Sequence, residues 1–173
     1  ATTWFNTCGV TSSDKVYCWG YATAGTNGNN NTTTNQLVPG SPIATVVQPA
    51  GIIGRGNTVS VWSSTGSYIL WGENQYGQCG LGNTTNPQKT PATVANAGVK
   101  SIISTYYSTC TVHADGSLKC FGRNSSGQLG IVNTTNQPTP TVVAAVAGNV
   151  WVEGHGGYDS VYAFQKSAPS PPP

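Results

Sequence analysis

The chain has 173 residues, with charged side chains at only 7%, hydrophobic ones at 37% and a formal net charge of +2. Its Lys and Arg stand singly, so there is no basic footprint for nucleic acid or an acidic membrane, and no apolar run is long enough to span a bilayer. Helix formers are scarce while β-branched residues, Gly and Pro abound, which predicts an all-β chain of short strands and tight turns. No cationic start followed by an apolar run opens the chain, so a secretory leader is expected to have been removed already.

In chain order, the first recognisable unit runs from Cys8 through the turn at Asp14 to Cys18, Trp19 and Gly20. An Asn/Gly-rich loop over 21–30 follows, without the Gly-Gln-x-Gly turn of the later units, and an irregular blade is expected there. The second unit runs from Ser60 to Leu70, Trp71 and Gly72, then a loop with Gly77 and Gln78, a Pro-flanked β segment at Pro91 and an apolar strand over 99–103. The third runs from Cys110 to Cys120, Phe121 and Gly122, then a loop with Gly127 and Gln128, a segment at Pro140 and a strand over 149–152. A fourth begins at Glu153 and is expected to stop after one strand carrying Tyr158, Val161 and Phe164. The aromatic-Gly pairs recur about every 50 residues, a period of solenoids and propellers. The boundaries drawn are 1–166 for the array, with units at about 1–52, 53–103, 104–152 and a partial 153–166, and a Pro-rich tail at 167–173.

Aromatic-Gly-x-Asn-x-x-Gly-Gln-x-Gly, then Pro-x-x-Val, then a Cys-bracketed Asp-Gly hairpin, resembles the RCC1 repeat family. In particular the chain resembles a secreted branch in which a Cys pair flanks the hairpin. The resemblance implies β-propeller blades, closed in the family as a ring of about seven. Three units and a strand fall short of that ring. A partial or open propeller is therefore expected, joined to further repeats or to other copies of itself through its exposed edges. Pairing by the last strand, as in donor-strand exchange, is the route considered. The family's founding member is a guanine-nucleotide exchange factor that binds chromatin, and nothing recognisable of that role is found in these residues.

Cys8 with Cys18, and Cys110 with Cys120, each flank nine residues with a turn in the middle. A hairpin sets such residues opposite each other at a Cα separation of about 4.5 Å, within reach of a disulfide. At the same stations the second unit replaces both, with Ser60 and Leu70, as a bonded pair requires. The alternative is small buried thiols. Two hairpin disulfides imply an oxidising, extracellular compartment. Cys79 is left over, either as a small buried residue in the slot of Leu129 or as an intermolecular bridge.

Asn31, Asn83 and Asn133 begin Asn-Thr-Thr sequons at equivalent places, and Asn30 and Asn124 begin two more. All five are expected to carry covalent N-glycans, those on Asn31, Asn83 and Asn133 in a stripe along one face, or to serve as plain turn residues. The tail from Ser167 is expected to run as polyproline II, and resembles the start of an extensin-like wall segment or an ordinary stiff linker.

No enzyme, metal or cofactor site is expected. His113, Asp115 and Ser117 spell a triad but alternate across one hairpin turn, and a triad needs groups converging from separate segments. His155 near Asp159 reads as structural. The glycines over 51–56 lack the Lys-Ser/Thr ending and the helix of a phosphate loop. Trp4, Trp62, Tyr106, Tyr107, Trp151 and Tyr158 are either sugar-stacking residues or inter-blade core. The function expected is a non-enzymatic, glycosylated structural or assembly module of a wall, matrix or surface fibre. The alternative is a secreted propeller fragment that binds a ligand or protein.

Overall fold

The computed structural model describes residues 1–94 and 98–168. Its order is entirely strands: β1 (Asn6–Val10), β2 (Lys15–Gly20), β3 (Ala44–Thr45), β4 (Pro49–Arg55), β5 (Thr58–Ser63), β6 (Tyr68–Gly72), β7 (Gln88–Thr93), β8 (Val99–Ser104), β9 (Ser108–His113), β10 (Leu118–Gly122), β11 (Gln137–Val143), β12 (Asn149–Gly156) and β13 (Val161–Ser167). They form antiparallel meanders in four sheets: β1-β2-β3, β4-β5-β6-β7, β8-β9-β10-β11 and β12-β13. Each sheet is a blade. Pro91 and Pro140 fall in β7 and β11, the edge strands of their sheets, where a missing N–H costs no ladder bond.

The sheets are phased differently from the sequence units. The apolar strands over 99–104 and 149–156, which close units in the repeat pattern, open the next sheets as β8 and β12. The last sheet is consequently a two-stranded hairpin and not a single added strand, with His155 opposite Tyr162 and Gly156 opposite Val161. The three residues expected to form an assembly strand separate there. Val161 packs toward the core, Phe164 is exposed on β13, and Tyr158 lies in the β12–β13 loop. Of the expected tail, Ser167 belongs to β13 and the Ala168 N–H bonds the Gly148 carbonyl, while 169–173 lie outside the described residues.

The core lies between blades. One cluster joins Cys8, Val16 and Cys18 of the first sheet to Val59, Val61 and Trp71 of the second. The next joins Tyr68 and Leu70 to Val99, Ile102 and Phe121, and the third joins Cys110, Cys120 and Leu129 to Trp151 and Val161. Trp71 and Phe121 therefore each cover the turn of the unit before them. A Cβ on Gly80 would lie 2.8 Å from the Phe121 ring, and this turn takes a positive φ of 68°, so glycine fits for both reasons.

The first unit's loop has the same backbone turn as the others, and the irregularity expected of this blade lies in its sheet, which has three strands with a β3 of two residues. Gly25 N–H bonds Ala22 O and Gly28 N–H bonds Gly25 O, as Gly77 bonds Asn74 and Gly80 bonds Gly77. The side-chain scaffold differs. Asn74 and Asn124 clamp their loops: the Asn74 amide donates to the carbonyls of Asn83 and Thr85 and accepts from the Cys79 N–H. Ala22 stands at that place in the first unit, where Asn27 instead accepts from Asn6 and donates to Gly20 O.

Candidate binding face

The β1–β2 and β9–β10 hairpins set Cys8 opposite Cys18 and Cys110 opposite Cys120, and both pairs are disulfide-bonded, with Cα separations of 4.2 and 4.1 Å. Cys79 is a buried free thiol that packs with Leu70 and Phe121, and burial pushes its pKa far above the ordinary value.

Of the sequon residues, Asn30, Asn83 and Asn133 are exposed and Asn31 is half-buried. Asn83 and Asn133 each accept the N–H of the residue two places on, at 3.0 and 2.9 Å, in an Asx turn. Asn124 leaves the group of glycan candidates. It is 0% exposed, and its amide nitrogen donates to the carbonyls of Asn133 and Thr135, so this fold has no room for a sugar there.

The triad letters close a turn. Ser117 Oγ donates to Asp115 Oδ1 at 2.7 Å, and His113 Nε2 meets Thr111 Oγ1 at 2.9 Å. Gly51 to Arg55 form the body of strand β4. Among the described residues, no group of three or more His, Cys, Asp or Glu is placed to hold a metal ion. His155 stands on β12 with its ring 6.2 Å from that of Phe164.

Convergence occurs elsewhere, among the segment that leads into β1 and the loops that join the first two strands of the second, third and fourth blades. Equivalent loop positions carry Trp4, Gly56, Tyr106 and Tyr158, and backbone bonds run from Trp4 N–H to Gly56 O and from Tyr106 N–H to Tyr158 O. Ring contacts then connect the blades. Trp4 and Tyr106 lie 4.6 Å apart, Tyr106 and Tyr158 stack at 4.7 Å, and Tyr106 meets Tyr107 at 4.7 Å. The row extends outward through Phe5 to Tyr21 on one side and through Tyr107 to Tyr76 on the other. Tyr106 is buried beneath it, whereas Trp4 and Tyr158 are 58% and 64% exposed.

Charge on this face is paired and half-sheltered. Arg123 lies 5.6 and 5.5 Å from the Tyr76 and Tyr107 ring centroids and bridges Asp159 at 3.3 Å. Gln128 also donates to Asp159, at 3.3 Å. One blade earlier, Tyr107 stands where Asp159 would, and the Gln78 amide nitrogen is buried with no hydrogen-bond partner. Burial first, then Tyr158, Tyr107 and Glu73, push the Tyr106 hydroxyl up to about 12, and burial raises Tyr107 too. Both hydroxyls therefore stay neutral at physiological pH. Burial also raises Glu73, against the hydrogen bond from Asn57.

Four of the six aromatics singled out in the sequence meet here: Trp4, Tyr106, Tyr107 and Tyr158. Trp62 and Trp151 instead pack half-buried between blades. The sequence reading missed Phe5, Tyr21, Tyr76, Arg55 and Arg123. A usable signal existed for two of them, since Tyr21 and Arg123 directly follow the signature glycines Gly20 and Gly122.

Four antiparallel blades with their cores between them and their loops gathered at one end define a β-propeller segment. The Regulator of chromosome condensation (RCC1) repeat matches residues 66–110 and 115–164, and the chain belongs to that family. Protein RCC2 of Homo sapiens is 33% identical over 92 residues, which cover 51% of this chain and 17% of RCC2. The fold is similar to that of Saccharomyces cerevisiae Prp20p, described with its binding properties to Gsp1p and histones. That match has a TM-score of 0.82 at 14% identity over 94% of this chain and 42% of Prp20p. Yeast RCC1 (Prp20) bound to Kap60 matches with a TM-score of 0.85 at 16% identity, over 98% of this chain and 42% of that one. The chain thus spans less than half the length of these relatives.

Proposed function

We propose that this chain is a non-enzymatic interaction module of a secreted protein, whose aromatic end holds an extracellular ligand or partner. The observation that carries this is the row of rings running across three blades, with Trp4 and Tyr158 largely exposed on rigid, hydrogen-bonded loops. Exposed aromatics backed by an arginine make the kind of patch that marks interaction sites on folded proteins. The two hairpin disulfides support an oxidising compartment. Binding is also the activity described for the yeast propellers, although the partners named there belong to those proteins.

The second reading, a building block of a wall, matrix or surface fibre, is favoured by the last hairpin. Among the described residues β13 pairs only with β12, and Tyr162 and Phe164 are exposed on it. An unpaired strand edge beside exposed rings suits association with another copy or with further repeats. Glycans on Asn31, Asn83 and Asn133 belong to this picture. Sedimentation of the secreted chain at micromolar concentration is expected to show associated species. A stable monomer that unfolds cooperatively overturns the assembly part. Treatment with an N-glycanase is expected to lower the mass and to leave Asn124 never modified, and an unchanged mass overturns the glycan part.

A further inference from the structure

The aromatic row is interrupted at one station. Three of the four equivalent loops place an aromatic there, and the second blade places Gly56. A side chain at Gly56 is disfavoured twice: its φ is +55°, and a Cβ would lie 2.8 Å from the Tyr106 carbonyl oxygen. Beside it lies a pocket of about 370 Å³ lined by Trp4, Gly54, Arg55, Gly56, Tyr106 and Tyr158, of which the Trp4 and Tyr158 side chains are largely exposed. That size lies at the lower end of small-ligand sites. Arg55 is among its lining residues, and its guanidinium donates at 3.1 Å to the Gly156 carbonyl of the β12–β13 hairpin, two blades on. That bond spans two blades and uses one of five N–H donors, so the head group is held in place with donors to spare.

The nearby charges differ from Arg55 in one respect. Asp159 is engaged by Arg123 and Gln128, and Glu73 is hydrogen-bonded by Asn57 and Gln75. Among the described residues the ion pair on this face is Arg123–Asp159, and the charged residue lining the pocket is Arg55.

We infer that this pocket binds a pyranose sugar that carries a carboxylate. Resting on the reading of this end as a binding face, the inference adds the ligand class. A pyranose has an apolar C–H face that stacks on an aromatic ring, and its rim of hydroxyls needs donors and acceptors, which the polar lining residue Thr2 and the spare N–H donors of Arg55 can supply. A hexuronate adds a planar carboxylate, the group that a guanidinium fork matches in two parallel hydrogen bonds. The loops are fixed before binding by the Trp4–Gly56 and Tyr106–Tyr158 backbone bonds, so little ordering opposes a small ligand.

The test titrates the folded, disulfide-bonded chain with trigalacturonate and, separately, with neutral cellotriose, by calorimetry and tryptophan emission. The expected result is saturable binding of trigalacturonate, at least about tenfold tighter than cellotriose, a difference of about 1.4 kcal/mol. Arg55→Gln is expected to remove that preference, and Trp4→Ala and Tyr158→Ala to weaken binding about tenfold or more. All three side chains are exposed, and each variant is to keep the wild-type unfolding midpoint. No binding of trigalacturonate, or equal binding of both sugars with Arg55→Gln unchanged, overturns the inference. Should the sugars fail while Trp4→Ala and Tyr158→Ala alter the sedimentation of the chain, the sugar is wrong and the face is a protein contact. The binding-module reading then stands. Failure of both readouts removes both.

Discussion

In the third blade Cys110 faces Cys120 and a disulfide joins them, while at the same station of the second blade Ser60 faces Leu70. The pairings around them correspond: Phe121 with Thr109 and Gly122 with Ser108 in one, Trp71 with Val59 and Gly72 with Thr58 in the other. The hairpin turns differ as well. In the third blade Asp115 accepts from the Ser117 N–H and hydroxyl, whereas in the second Ser63 Oγ bonds the hydroxyls of Thr65 and Ser67. Two features do not differ. Asn74 and Asn124 hold their loops by the same bonds, and Trp71 and Phe121 are both fully buried over a glycine of the preceding turn. The blade thus depends on its loop clamp and on the aromatic that covers its neighbour. The chemistry stapling the hairpin can change, because either pair fills the same inter-blade volume.

Three sets of substitutions bear on that division, beginning with the largest expected effect. Trp71→Ala and Phe121→Ala are each expected to destabilise the chain by about 3–5 kcal/mol in urea unfolding, from lost burial and the cavity left behind. Trp71→Phe, copying the third blade, is expected to lose only about 1–3 kcal/mol, including the bond from Trp71 Nε1 to the Thr26 carbonyl. A negligible cost for both alanine variants would mean that the blades do not depend on each other.

Exchanging the staples should come next. Cys110→Ser with Cys120→Leu gives the third blade the second blade's pair, and is expected to cost about 3 kcal/mol through the freer unfolded chain. Ser60→Cys with Leu70→Cys is expected to oxidise spontaneously to a third hairpin disulfide, visible as a mass loss of two hydrogens. Its gain should be smaller, because Leu70 is fully buried in the inter-blade cluster. A dithiol that stays reduced in air would contradict the Ser60–Leu70 register.

The smallest effect is expected at the turns. The Ser117 hydroxyl and then its N–H hold the Asp115 carboxyl below its ordinary value. A depressed folded pKa contributes stability that is complete above the unfolded carboxylate's range and is lost as pH falls through the folded value. Asp115→Thr, which copies Thr65, should flatten the acid limb of the stability–pH curve slightly and leave neutral pH almost unchanged. Asp115 is exposed, and solvent keeps the difference small. Identical acid limbs would show that the carboxylate acts only as a turn former.

Much of a blade is local, and locality made it legible. The Cys8–Cys18 hairpin needs only a turn at its middle and alternating side chains, so register and disulfide could both be inferred from spacing. The buried state of Cys79 is inferable in the same way, since Leu129 holds the equivalent slot. The phase of the sheets was not legible. The strand over 99–104 has equal apolar claims on the unit before and the unit after, and only the pairing of Ile103 with Cys110 assigns it to the latter. Asn124 was misread because a sequon describes three adjacent residues, while its burial is decided by carbonyls nine and eleven residues away.

By itself the amino-acid sequence determined the strand-and-turn alphabet, the repeat and the hairpin staples, all set by contacts between near neighbours in the chain. Tertiary structure alone decided where the aromatics go. Trp4, Tyr106 and Tyr158 are about 50 to 150 residues apart and meet only because the blades present equivalent segments at the same end. Trp62 and Trp151, no less aromatic, lie on strand faces that the neighbouring sheet covers. Whether a ring becomes core or binding surface is thus a matter of which blade stands beside it, and that is a property of the packed array.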